Sequence, residues 1–176
     1  MSLAFGSALT SSPAPQLRAD ICIDDVFEAQ ARETPDATAV SFGPERLTYR
    51  ELDARANQLA HYLVKHGVGP EIPVALYLER SINMVVAILG VLKAGGAYVP
   101  IDLAYPKDRL SFMLRDTEAP MLLTEEVLRP MLPAYEQKVL CLDGEREKLA
   151  LEPPAAPVRN TTSSNAAYII YTSGST

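Results

Sequence analysis

The alternation of short apolar runs with segments of helical period most restricts what this chain can fold into. From Ile21 onward, runs at Ala39–Phe42, Pro73–Leu78, Ala97–Ile101, Met121–Leu123 and Val139–Leu142 have strand length. Between several of them lie segments whose apolar residues recur every three to four positions. That order predicts an α/β fold, a layered sheet-and-helix architecture. The 176 residues are enough for one ordinary domain with a sizeable core. A composition that is 48% hydrophobic and 22% charged is too apolar for a disordered chain. No internal repeat of solenoid or propeller period interrupts it.

The clearest helix start is Leu47-Thr48-Tyr49-Arg50-Glu51-Leu52. Thr48 and Glu51 have capping-box spacing, and Leu47 and Leu52 can form a hydrophobic staple. Leu52, Ala56, Leu59, Ala60 and Leu63 then recur on one face, and Gly67 suits the left-handed residue that closes a helix. An earlier helix is expected to start at Asp24 or Asp25 and to end before Pro35. A near-continuous apolar helix is predicted over about Ile82–Ala94, stopped by Gly95-Gly96. Pro100 argues for an edge strand or a strand end. Pro106 suits the first turn of another helix with a Leu110, Met113, Leu114 stripe, and Glu125–Leu132 is predicted as a short helix. Glu152–Asn165, rich in Pro, Ala, Thr, Ser and Asn, reads as a mobile surface connection. Residues 1–20 read as a flexible leader.

Charge and cysteine usage remove several function classes. Sixteen Lys and Arg against 22 Asp and Glu leave a net charge of −6, with no basic run, so nucleic acid is not an expected partner. Cys22 and Cys141 lack CxxC spacing and read as buried thiols of a reducing, cytoplasmic compartment. His61 and His66 are not spaced as metal ligands. Met84–Leu92 is roughly half of the ~20 residues needed to cross a bilayer, so no membrane partner is expected. The N-terminus has no basic start before its short apolar patch and does not read as a secretory signal.

Chemistry is concentrated at the end of the sequence. Ala167–Tyr171 reads as a compact buried strand, and Thr172-Ser173-Gly174-Ser175-Thr176 follows it directly. Gly allows close backbone approach, while N–H groups and hydroxyls can donate to anionic phosphate oxygens. A solvated hydroxyl-rich turn is the alternative for these residues taken alone. The Gly-Lys-Ser/Thr ending of a Walker A loop is absent.

Three segments together resemble the adenylation domains of nonribosomal peptide synthetases, in the acyl-adenylate-forming superfamily. Leu47–Leu52 is similar to the family's first core motif, Leu92-Lys93-Ala94-Gly95-Gly96-Ala97-Tyr98-Val99-Pro100-Ile101-Asp102 to its second, and Tyr171–Thr176 to the start of its third. Tyr105-Pro106 with Arg109 also fits, whereas Leu103-Ala104 replaces an expected Asp-Pro. By this resemblance residues 21–176 form the N-terminal portion of the large subdomain of such an enzyme, truncated within the phosphate-binding loop. The first two motifs are architectural. Thr172, Ser173, Gly174, Ser175 and Thr176 are expected to lie along the ATP phosphates, and no catalytic or metal-binding residue is assigned to this stretch.

The resemblance further implies a reaction of amino acid and ATP, with Mg2+, giving aminoacyl-AMP and pyrophosphate. The aminoacyl group then passes to the phosphopantetheine thiol of a peptidyl carrier protein, in secondary metabolite biosynthesis. Implied partners are the amino acid substrate, the carrier, the remainder of the adenylation domain and, for some members, a small helper protein. The chain is expected to belong to a longer parent, whole or cleaved, and to be inactive by itself. An acyl- or aryl-CoA ligase of the same superfamily and a non-catalytic docking module are the competing readings.

Overall fold

A computed structural model describes residues 21–172. The expected leader, residues 1–20, and Ser173–Thr176 lie outside the described residues.

The chain opens with α1 (Ile23–Glu33) and an antiparallel pair, β1 (Thr38–Phe42) and β2 (Glu45–Thr48). The helix α2 (Tyr49–Lys65) follows at once. Thr48 caps it as the spacing predicts: its Oγ1 accepts from Glu51 N at 3.3 Å, and its own amide donates to Glu51 Oε2 at 2.8 Å. Gly67, at φ 88°, closes the helix in the left-handed region.

From there strand and helix alternate: β3 (Pro73–Leu76), α3 (Ile82–Lys93), β4 (Ala97–Pro100), α4 (Lys107–Asp116), β5 (Met121–Thr124), β6 (Lys138–Cys141) and one turn of helix, α5 (Arg146–Leu149). The four later strands form a parallel sheet in the order β4-β3-β5-β6. Pro100 thus sits on the outer strand of this sheet, where a missing N–H breaks no ladder bond.

Alternation along the strands sends side chains into two cores. Val74, Leu76, Met121, Leu123 and Leu140 pack with Leu59 and Leu63 of α2 and Ala87 and Val91 of α3. Ala75 and Leu122 point the other way, onto Leu110, Met113 and Leu114 of α4. The sheet is covered on both faces, which is why its strands read as continuous apolar runs. A Cβ at Gly90 would stand 2.6 Å from Leu59 Cδ2, so glycine there permits the close approach of α2 and α3.

Two expectations about helices change. The first helix is capped at Cys22, with Asp25 Oδ2 accepting from the Cys22 amide at 3.0 Å, so neither Asp24 nor Asp25 is the cap. Glu125–Leu132 forms only a 3-10 turn over Arg129–Met131. Pro130 brings no N–H, and Pro133 drives Leu132 to an extended ψ of 142°.

The stretch Glu152–Asn165 does run over the surface, but side chains strap it down. Asn57 Nδ2 donates to Pro154 O at 2.8 Å, His61 Nε2 meets Ala155 O at 2.9 Å, and Lys65 pairs with Glu152 at 2.6 Å. Arg159 bridges Asp24 and Asp25. Burial holds the Asp24 carboxyl above its ordinary range. For Asp25, burial acts upward too, but the hydrogen bonds from Arg159 and the Cys22 amide prevail and hold it below. Both histidines are hydrogen-bonded, His66 to Tyr62 O at 2.7 Å. Cys22 and Cys141 are free thiols, the second buried and pushed up to about 11, chiefly by burial.

Candidate functional site

All four strands of a parallel sheet end on the same rim, and in open α/β folds ligands bind outside those carboxyl ends. Here β3 continues through Tyr77 and Leu78, and β4 through Ile101 and Asp102. Tyr77 N donates to Leu123 O and Ile101 N to Leu76 O, each at 2.9 Å, so both exits stay registered on the sheet. Beside them opens a cavity of about 710 Å3, lined among others by Leu78, Arg80, Pro100, Asp102, Ile170 and Tyr171. Its size suits a small-molecule ligand. A second cavity, about 150 Å3, lies under the amino end of β4 between Cys22, Gly95 and Thr161, away from this rim.

The last described segment runs along the outer edge of β4. Tyr98 N donates to Ala167 O at 3.1 Å and Ile169 N to Tyr98 O at 3.0 Å, a single parallel bridge pairing Tyr98 with Tyr168. Their rings stand 5.7 Å apart. The sequence reading of Ala167–Tyr171 as a buried strand is corrected: Tyr168, Ile169 and Ile170 are 52%, 39% and 59% exposed. Among the described residues only β4 flanks this segment, so its apolar side chains have a neighbour on one side alone.

Tyr171 ends the segment, held from two directions. Its ring packs against the core beneath α4, and its hydroxyl donates to Asp116 Oδ2 at 2.6 Å. Burial first, then Asp116, pushes the phenol up to about 12, so it stays protonated and a donor at neutral pH. The chain therefore leaves for Thr172 at the carboxyl rim, with Ile170 and Tyr171 forming part of the cavity wall. Of the predicted phosphate-binding residues, Thr172 is described and exposed. Ser173, Gly174, Ser175 and Thr176 lie outside the described residues.

The other motif residues make contacts that shape the fold. Asp102 Oδ1 accepts from Ala104 N at 2.9 Å, an Asx turn that carries the chain away from β4. Gly95, at φ 87°, makes the turn into β4, and a Cβ on it would meet Thr161 Cγ2 at 2.8 Å. Arg109 lies over the Tyr105 ring at 4.4 Å, a cation–π contact on the surface of α4. Lys93 is buried at the end of α3, where its ammonium pairs with Glu28 of α1 and, at 3.0 Å, with Asp53 of α2. Sequence reasoning missed that role, although a lone Lys ending an apolar helix was a signal open to it. It also missed Asp116, which accepts from the Tyr171 hydroxyl.

No group of three or more His, Cys, Asp or Glu side chains gathers in a metal-binding arrangement among the described residues. No helix among them is long and apolar enough to cross a membrane.

Comparison with known proteins agrees with this geometry. The model of the family described as AMP-binding enzyme matches residues 27–176. A linear gramicidin synthase of Brevibacillus parabrevis is 52% identical over 157 residues, covering 89% of this chain and 3% of that protein. The chain thus spans a small fraction of the length of this curated relative. The solved nonribosomal peptide synthetase FmoA3 superposes with a TM-score of 0.82 in its α-methyl-L-serine-AMP form, at 34% identity over 93% of this chain and 18% of that one. In its AMPPNP form the TM-score is again 0.82, at 35% identity over 94% and 17%. The N-terminal subdomain of NpsA from Klebsiella oxytoca gives a TM-score of 0.73 at 25% identity, covering 87% of this chain and 39% of that one. With a family match over residues 27–176, the chain belongs to the AMP-binding enzymes, among the adenylation domains of nonribosomal peptide synthetases.

Proposed function

We propose that the protein containing this chain activates an amino acid as its adenylate and passes it to a carrier protein. The carboxylate oxygen attacks the α-phosphorus of ATP, the bond to the bridging oxygen breaks, and pyrophosphate leaves. The thiol of a carrier-bound phosphopantetheine then attacks the aminoacyl carbonyl, and AMP leaves with the C–O electron pair. Residues 21–176 act as the N-terminal part of the adenylation domain, preceded by a leader, in a cytoplasmic enzyme. Their share is to bind phosphate: the hydroxyls and amides of Thr172, Ser173, Gly174, Ser175 and Thr176 donate to the polyphosphate oxygens. Mg2+ would neutralise phosphate charge when bound.

The observation that carries this reading is the placement of Tyr171 and Thr172 on the carboxyl rim of the parallel sheet, beside the 710 Å3 cavity. The relatives support it, since FmoA3 is named as bound to an aminoacyl-AMP and to AMPPNP. Amino-acid-dependent exchange of pyrophosphate into ATP by the longer protein tests it. Exchange with at least one amino acid, weakened in T172A through a higher KM for ATP, is expected. Exchange with aryl or fatty acids in place of every amino acid would overturn it. The 176 residues alone should show no exchange above background, because one phosphate-contacting loop cannot hold both reactants in line.

A further inference from the structure

Outside the cavity, two exposed carboxylates are spent on one short segment. Glu71 Oε1 accepts from Asn165 Nδ2 at 2.8 Å and from Ala166 N at 3.1 Å, where the segment begins. Asp116 Oδ2 accepts from the Tyr171 hydroxyl at 2.6 Å, where it ends. We infer that Glu71 and Asp116 are positioning residues, whose carboxylates pin the two ends of segment 166–171 and so set where Thr172 leaves the sheet. The inference rests on reading Thr172–Thr176 as the phosphate loop.

Both residues stand in places that suit them poorly except for these contacts. Glu71 has a φ of 65°, the left-handed region that a residue with a Cβ disfavours. Glycine would relieve that backbone but would offer no acceptor to Asn165 and Ala166. Asp116 closes α4, where the helix dipole disfavours a negative charge. Its hydrogen bond to a phenol held as a donor gives the carboxylate a partner there.

Between the two ends, among the described residues, Tyr98 holds the segment, through its backbone and the ring of Tyr168. Among the described residues two backbone hydrogen bonds join it to Tyr98, and Tyr168, Ile169 and Ile170 are 52%, 39% and 59% exposed. At its start Asn165 is itself set by Thr162, whose amide donates to Asn165 Oδ1 at 2.9 Å. The strap therefore arrives at Glu71 already ordered, and Asp116 determines the exit.

Steady-state kinetics and amide exchange on the longer, exchange-competent protein test the pair. E71A and D116A should each raise the KM for ATP about three- to tenfold, the range of one net hydrogen bond, with kcat within about twofold. E71Q and D116N keep an acceptor oxygen and should restore the wild-type KM. E71G should behave as E71A, which separates the lost acceptor from relief of the backbone. Exchange at the Ala166 and Ile169 amides should quicken in E71A and D116A and recover in the amide variants. Wild-type KM together with unchanged amide exchange in both alanine variants overturns the inference, as does a raised KM that Gln and Asn fail to restore. A wild-type protein without nucleotide exchange defeats the phosphate reading instead, and amide exchange alone then decides the two tethers.

Discussion

The central parallel sheet and the segment along its outer edge are both extended, apolar backbone, yet different forces hold them. In the sheet, Leu76, Leu122, Leu123 and Leu140 are fully buried between helices on two faces. In the edge segment, Ile169 and Ile170 keep 39% and 59% of their surface in water, and hydrogen bonds at Glu71, Tyr98 and Asp116 fix its course. Burial is insensitive to direction, whereas hydrogen bonds specify it. The comparison teaches that this fold obtains stability from one region and aim from the other.

That contrast is broken first where it is widest. Leu123→Ala should destabilise the protein by about 3 kcal/mol, because a fully buried leucine in a sheet covered on both faces leaves a cavity that cannot collapse. Urea unfolding followed by circular dichroism measures it, and a loss comparable to that of an edge residue would erase the distinction. Lys93→Met comes next, at about 2 kcal/mol. It leaves Glu28 and Asp53 facing each other without their cation, and their side chains, 23% and 28% exposed, keep enough water to moderate the full penalty of a broken buried pair. Restoration of stability by simultaneous E28Q and D53N would sharpen the assignment to charge.

Alkaline pH should separate the regions more gently. Cys141, in β6, is raised to about 11 and Tyr171, in the edge segment, to about 12. A raised pKa contributes stability that is fully present below the unfolded value and is lost as pH rises through the folded one. The Cys141 contribution should therefore fade between pH 9.0 and about 11, and the Tyr171 contribution between pH 10.0 and about 12. Burial raises Tyr135 to about 12 as well, so Y171F should diminish the second phase of a stability-against-pH curve and leave the first unchanged. The smallest effect is expected from Ile170→Ala, within about 0.5 kcal/mol, as for surface positions in general. A loss near that of Leu123→Ala would show that the edge segment is buried in solution.

Much of the fold was legible because its signals are local. Thr48 and Glu51 lie one turn apart, Leu110, Met113 and Leu114 lie on one helix face, and Gly67 needs only its own backbone torsion. The candidate loop was legible as a motif, and its first residue, Thr172, follows Tyr171 at the sheet rim. Other features were not. The strand β2 has a single buried residue, Leu47, and its pairing with β1 rather than any apolar run makes it a strand. The helix expected over Glu125–Leu132 failed because Pro130 and Pro133 outweigh its apolar spacing.

The amino-acid order by itself determined where α2, α3 and α4 lie and which apolar runs become the strands of the parallel sheet. Those properties depend on caps, periodicity and composition within a turn or two. Only the tertiary structure decided the strand order β4-β3-β5-β6, the exposure of Ile169 and Ile170, and the partners of Lys93, Glu71 and Asp116. Lys93 and Glu28 are 65 residues apart, Glu71 and Asn165 are 94, and Asp116 and Tyr171 are 55. Contacts at such separations arise only when packing of the whole sheet brings distant segments to the same edge, so no local pattern encodes them.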